Sequence, residues 1–337
     1  MRRSLTAGAL TAAAIILAAA VLGVAGAVAG TGGSDSASRA SSPYYPADYR
    51  RVLQIVSDLH ADPPADPLVV LLGGSSARES TISDDSWSQA VSALRGFGVD
   101  CVNLGSKHRL FTQDRRIAAY LPESTNIVFI GVNMGRFCNG PADPTVPFPQ
   151  PVAAAGRGVA AGPRKNIAVW SDARRRQVAR QWMVRRWPSF EARWRSNMTV
   201  LRSICVDCLA RGQHPVIIDL PRNMQIIRHQ LDEPLHLYHR GCRRIATSLG
   251  IPYVQFQSST GLTDQDFADL WHTVASGKAK WQQVLAITTE RLLVRYGIQP
   301  APSPSPTPTP SPSPTATSSP SPSVEPSPSG SGAATAF

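Results

Sequence analysis

Leu68-Val69-Val70-Leu71-Leu72-Gly73-Gly74-Ser75-Ser76-Ala77-Arg78 is the stretch whose reading decides the fold. Five consecutive apolar residues with no polar alternation suit a strand buried on both faces, which is the habit of parallel sheets. Two glycines then permit a sharp turn, and the serine after them is left exposed at the carboxyl end of the strand. Open α/β sheets bind ligands at that end. The same glycines lack the Gly-Lys-Ser/Thr of a phosphate loop and the Gly-x-Gly-x-x-Gly of a dinucleotide fold. No cofactor is therefore expected.

Working outward, similar apolar runs lie at Ile127–Ile130 and Val216–Ile218, with weaker ones at Val99–Leu104 and Ile251–Phe256. Between them the 3.6-residue period predicts helices over Ser86–Leu94, Gln113–Leu121, Ala173–Ala210 (broken at Pro188) and Leu235–Leu249. A last helix carries Trp281, Leu285, Leu292 and Tyr296 on one side. Alternating strands and helices joined by right-handed crossovers give an α/β protein, a three-layer α/β/α sandwich around a mainly parallel five-stranded sheet of flavodoxin-like type. One domain over residues 47–299 is expected.

The flanks differ in composition. Met1-Arg2-Arg3-Ser4 precedes an uncharged apolar run from Leu5 to Gly30, read as a signal peptide or an N-terminal membrane anchor (residues 1–30), with 31–46 as linker. Ala25-Gly26-Ala27 and Ala27-Val28-Ala29 suit signal-peptide cleavage, while the length of the run suits an anchor; either outcome places the folded part outside the cytoplasmic membrane. Residues 300–337 are a Pro/Ser/Thr-rich tail with 12 prolines by Pro328, a composition that stays extended and solvated.

Of the 337 residues, 34 are Lys or Arg and 23 are Asp or Glu, a formal charge of +11. Between Arg157 and Arg211 there are 13 Lys/Arg against three acids (Asp172, Glu191 and Asp207), so one insert, 157–211, carries most of the excess. A chain otherwise close to neutral is not a nucleic-acid protein. The insert interleaves arginines with Trp170, Trp182, Trp187 and Trp194. It reads as a helical pair with a solvated arginine face, or as a surface for an anionic membrane or an acidic wall polymer.

The five cysteines are an odd number for an exported chain. Cys205-x-x-Cys208 has redox or zinc spacing, yet Phe190, Trp194, Met198, Leu201, Cys205 and Cys208 form one apolar helical face, so both thiols are assigned to the core. His236-x-x-His239-x-x-Cys242 drifts around a helix and lacks a fourth ligand; no metal is assigned to it.

Asp269-x-x-His272 follows the fifth strand. A carboxylate at that spacing can accept from Nδ1–H of the imidazole and leave Nε2 as a base. Strand two ends at Asn103-Leu104-Gly105-Ser106, and strand three at Gly131-Val132-Asn133-Met134-Gly135. A glycine amide and an asparagine NH₂ are the donors an oxyanion needs.

These four blocks, in this order, resemble the SGNH (GDSL-type) hydrolases, whose cell-surface esterase and acyltransferase branches share the Gly-Gly-Ser variant seen at Gly73-Gly74-Ser75. The resemblance implies Ser75 as nucleophile, His272 as general base, Asp269 as its partner, and Gly105 and Asn133 as oxyanion donors with the Ser75 amide. Ser76 is the alternative nucleophile if the turn is read one residue later, and Asp264 and Asp266 are alternative partners for His272. The α/β-hydrolase elbow, which Gly73-x-Ser75-x-Ala77 nearly matches, needs several strands before the serine. The expected function is an exported or membrane-anchored serine esterase acting on O-acyl, foremost O-acetyl, esters of a cell-envelope glycan or a small ester. The alternatives are an acyltransferase using the same residues and a non-catalytic glycan- or surface-binding module.

Overall fold

The computed structural model describes residues 47–140, 146–152 and 168–300. The N-terminal run, the linker, the tail and the 157–167 part of the insert lie outside the described residues. Among those described, no helix is long and apolar enough to cross a membrane.

Five strands, β1 (Leu68–Leu72), β2 (Asp100–Asn103), β3 (Thr125–Val132), β4 (His214–Asp219) and β5 (Tyr253–Gln255), pair in parallel in the order β2-β1-β3-β4-β5. Side chains alternate across a strand, and β1 shows why its run had to be unbroken. Leu68, Val70 and Leu72 enter one core cluster while Val69 and Leu71 enter the other. The first cluster is completed by α1 (Ala47–Ala61), α4 (Phe111–Tyr120), α5 (Asp172–Arg185), α6 (Trp187–Ala210) and α8 (Asp232–Leu249). The second is closed by α3 (Asp84–Arg95) and α9 (Ala275–Arg295). The result is the expected α/β/α sandwich. Short helices α2 (Ser75–Arg78) and α7 (Met224–Ile227) sit at the ends of β1 and β4.

Local chemistry sets the boundaries. Ser83 and Ser86 form a reciprocal capping box at the start of α3, and Gly96 ends it with φ 75°, a left-handed conformation that costs glycine little. Pro188 occupies the first turn of α6, where its missing N–H removes no helical bond, so the long helical stretch divides at Arg186. Phe190, Met198, Leu201, Cys205 and Cys208 are buried along α6, and all five cysteines of the chain are buried and unpaired. Burial pushes the Cys208 thiol up to about 12 and Cys138 up to about 11, so neither supplies a thiolate at neutral pH. The helix α1 was not singled out in the sequence, although Tyr49, Val52, Leu53 and Val56 form its buried stripe.

The strand order places the functional crevice. After β1 the chain crosses to β2 on one side, and after β3 it crosses to β4 on the other, so the connections leaving the adjacent strands β1 and β3 run in opposite senses and open a crevice at their carboxyl ends.

Candidate active site

Ser75 opens α2 directly after β1. Gly73 makes this turn possible: its φ is 157°, and a Cβ there would lie 2.6 Å from Ala77 Cβ. As the first residue of a helix, Ser75 has a backbone N–H without an intrahelical acceptor. Its hydroxyl meets the imidazole, with Ser75 Oγ 2.9 Å from His272 Nε2. His272 Nδ1 is 2.6 Å from Asp269 Oδ2. The other carboxylate oxygen, Asp269 Oδ1, accepts the backbone N–H of Trp271 at 2.7 Å and of His272 at 2.9 Å. Asp269 is buried, which disfavours its charge, but His272 and the two amides outweigh that and hold its pKa below the ordinary carboxylate value.

Two distant stretches, Ser75 and Asp269–His272, are thus brought together, while the alternative residues have other partners. Ser76 is buried, and its Oγ accepts from Asn133 Nδ2 at 2.7 Å instead of reaching the imidazole. Asp266 accepts from Thr263, Ser276 and Lys280, and Asp264 from Asn223 and Arg175.

Asn133 caps the 3-10 turn Met134–Cys138 at the end of β3. Its Oδ1 accepts the Arg136 N–H at 3.1 Å, which fixes which way the amide faces. The NH₂ group thus points to the serine side, with one hydrogen on Ser76 and a second available. Gly105 is placed differently from the expectation. Its N–H donates to Asn103 Oδ1 at 2.9 Å, and the residue is absent from the cavity lining. Asn103 is itself held, its Nδ2 donating to the Ala77 carbonyl and to Thr81 Oγ1. Glycine is required at 105 for another reason: a Cβ would stand 2.4 Å from the Arg78 backbone nitrogen. It lets the β2 loop press against α2.

Two supports escaped the sequence reading. The Thr273 hydroxyl, next to His272, donates to the Glu79 carbonyl, and the Glu79 N–H in turn bonds the Ser75 carbonyl. The Glu79 carboxylate, buried at the end of α2, pairs with Lys278 of α9 at 2.8 Å and with Arg78. These contacts hold the serine turn and the histidine loop in one frame. Nothing short of coordinates would join Glu79 to Lys278, 199 positions apart. Of the histidine run, His236 is exposed, His239 is buried between Arg222 and Tyr253 with its pKa lowered by burial to about 4, and Cys242 is in the core.

A cavity of about 460 Å³ opens over Ser75 and His272. Gly74, Asn133 and Arg136 line it, as do Val178, Gln181, Trp182 and Arg185 of α5 at helical spacing. The basic insert is therefore a wall of the site. It is fastened there by the Trp170 N–H donating to the Ala268 carbonyl at 2.8 Å and by buried Arg175 pairing with Asp264 at 2.8 Å.

No family model matches the sequence, and no curated protein matches it. Among solved structures the chain is similar to a GDSL-like lipase from Bacteroides thetaiotaomicron (10% identity, 73% of this chain and 100% of that chain, TM-score 0.41). It is likewise similar to a lipase/acylhydrolase from Enterococcus faecalis (12% identity, 70% and 100% covered, TM-score 0.41). A third is an acetylxylan esterase from Geobacillus stearothermophilus, solved as a catalytic mutant (13% identity, 71% and 97% covered, TM-score 0.42). At such identities and scores the likeness is one of outline only.

Proposed function

We propose that this chain is an SGNH-type serine ester hydrolase, with Ser75 as nucleophile, His272 as general base and Asp269 as the group that orients it. The observation that carries the reading is the imidazole held at 2.9 Å from a serine hydroxyl and 2.6 Å from a carboxylate, at the mouth of a cavity. Asp269 accepts from Nδ1–H, so Nε2 keeps its lone pair and takes the Ser75 proton as Oγ attacks an ester carbonyl. The imidazolium formed is stabilised by the adjacent carboxylate, and it then protonates the leaving alcohol. Water, activated in the same way, releases the acyl group from Ser75. The tetrahedral oxyanion is held by the Ser75 amide and the second Asn133 NH₂ hydrogen. Gly105, whose amide is engaged with Asn103, adds at most a shared bond.

The substrate proposed is an O-acyl, foremost O-acetyl, ester on a cell-envelope glycan. Its support is the tryptophan-lined cavity, since aromatic faces suit sugar rings, together with the Arg2-Arg3 head and apolar run that suit an extracytoplasmic location. Labelling with a fluorophosphonate tests the chemistry. Wild type and Ser76→Ala should label, and Ser75→Ala should not. Asn133→Ala should lower kcat by about 100- to 1000-fold. Labelling that survives in Ser75→Ala, or a fully active Asn133→Ala, would remove the assignment.

A further inference from the structure

The charge around the cavity is lopsided in a way the esterase chemistry does not use. Among the described residues its lining holds one acid, Asp269, which is committed to His272, against four arginines. Two of these, Arg109 and Arg136, are buried and share a single carboxylate, that of Asp114. The other two, Arg185 and Arg186, lie exposed where α5 meets α6, and among the described residues no carboxylate pairs with either. The same helix shows what a paired arginine looks like: Arg175 binds Asp172 and Asp264, and Arg176 binds Asp172 at 3.2 Å. At the cavity end Arg185 and Arg186 have no such partner among the described residues. Trp170 and Trp271 stand on the same lining with part of their surface open.

We infer that the ester is borne on an acidic glycan, and that Arg185 and Arg186 are specificity-determining residues that bind a carboxylate or phosphate on its alcohol side while the tryptophans meet its rings. This rests on the esterase reading for the chemistry but not for the binding. Guanidinium forks pair with both anions, and a concave basic wall of low polarisability concentrates them. Positive charge beside the oxyanion site does not by itself distinguish substrates; positive charge displaced onto α5 does.

Binding to Ser75→Ala protein, measured by titration calorimetry, separates the possibilities. The probes are an oligogalacturonate for carboxylate, a glycerol phosphate oligomer for phosphate, and a xylooligosaccharide as the neutral member. At least one anionic probe should bind about tenfold or more tightly than the neutral one, and added salt should weaken that preference. Arg185→Gln/Arg186→Gln in the same background should abolish most of it, and Arg185→Lys/Arg186→Lys should restore part. Which anion wins identifies the source of the charge. Equal binding of all three probes, binding of neither anion, or a preference untouched by the double glutamine variant overturns the inference. Anion preference without turnover of any acetylated ester by wild type would defeat the esterase reading and leave this one standing.

Discussion

Replacing Asp269 by Asn tests the proposed proton path with almost no change of shape. The direction in which the new amide settles is fixed by the structure. Oδ1 of Asp269 accepts two backbone N–H groups, at 2.7 and 2.9 Å, so the asparagine oxygen must take that position and its NH₂ must replace Oδ2. That NH₂ then faces His272 Nδ1 across what is now a 2.6 Å contact. Two donors cannot share it, so Nδ1 becomes the acceptor and the ring proton moves to Nε2. An Nε2–H cannot accept the proton of Ser75. The loss should approach ~10⁴-fold in kcat, as in serine hydrolases whose histidine is forced into the wrong tautomer, or about 5 kcal/mol of barrier. The assay is kcat/KM on p-nitrophenyl acetate, with circular dichroism to show that the fold persists. An Asp269→Asn protein that is folded and within tenfold of wild type would refute the tautomer argument.

Gly105→Ala should destabilise the protein by about 1–3 kcal/mol, because its Cβ would fall 2.4 Å from backbone rather than from a side chain that can turn aside; denaturant melts give the value. A variant as stable as wild type would show that the β2 loop is not pressed against α2. Asp266 gives the acid limb of stability. Burial opposes its charge, but Lys280, Ser276 and Thr263 hold its pKa at about 2. Because that value is depressed, its contribution is complete above the ordinary carboxylate range and is lost as pH falls toward 2. Urea midpoints measured against pH should fall less steeply there in Asp266→Asn, and parallel curves would contradict the assignment.

How much of this was legible depends on where each contact lies along the chain. The strands β1, β3 and β4 were visible because burial on both faces demands unbroken apolar runs, and β1 begins and ends where its Leu68–Leu72 run does, whereas the partly exposed edge strands β2 and β5 left only weaker runs. The helix α1 was less visible, since a one-sided stripe among charged residues resembles linker when nothing shows what it packs against. Ser75, Asn133, Asp269 and His272 were legible as residues at strand ends, where the chain of an open α/β sheet presents side chains to a ligand.

By itself, the sequence determined the layers, the parallel sheet and the short list of polar groups at its carboxyl edge, because those follow from local periodicity and from which residues can turn sharply. Only the tertiary structure shows that the Ser75 hydroxyl, and not that of Ser76, lies against His272, that Asp269 and neither Asp264 nor Asp266 is the carboxylate beside the ring, and that the Gly105 amide is turned to Asn103. The physical reason is that a hydrogen bond discriminates over a few tenths of an ångström, whereas adjacent residues in sequence point in directions that only the completed packing of α2, the histidine loop and α9 can fix.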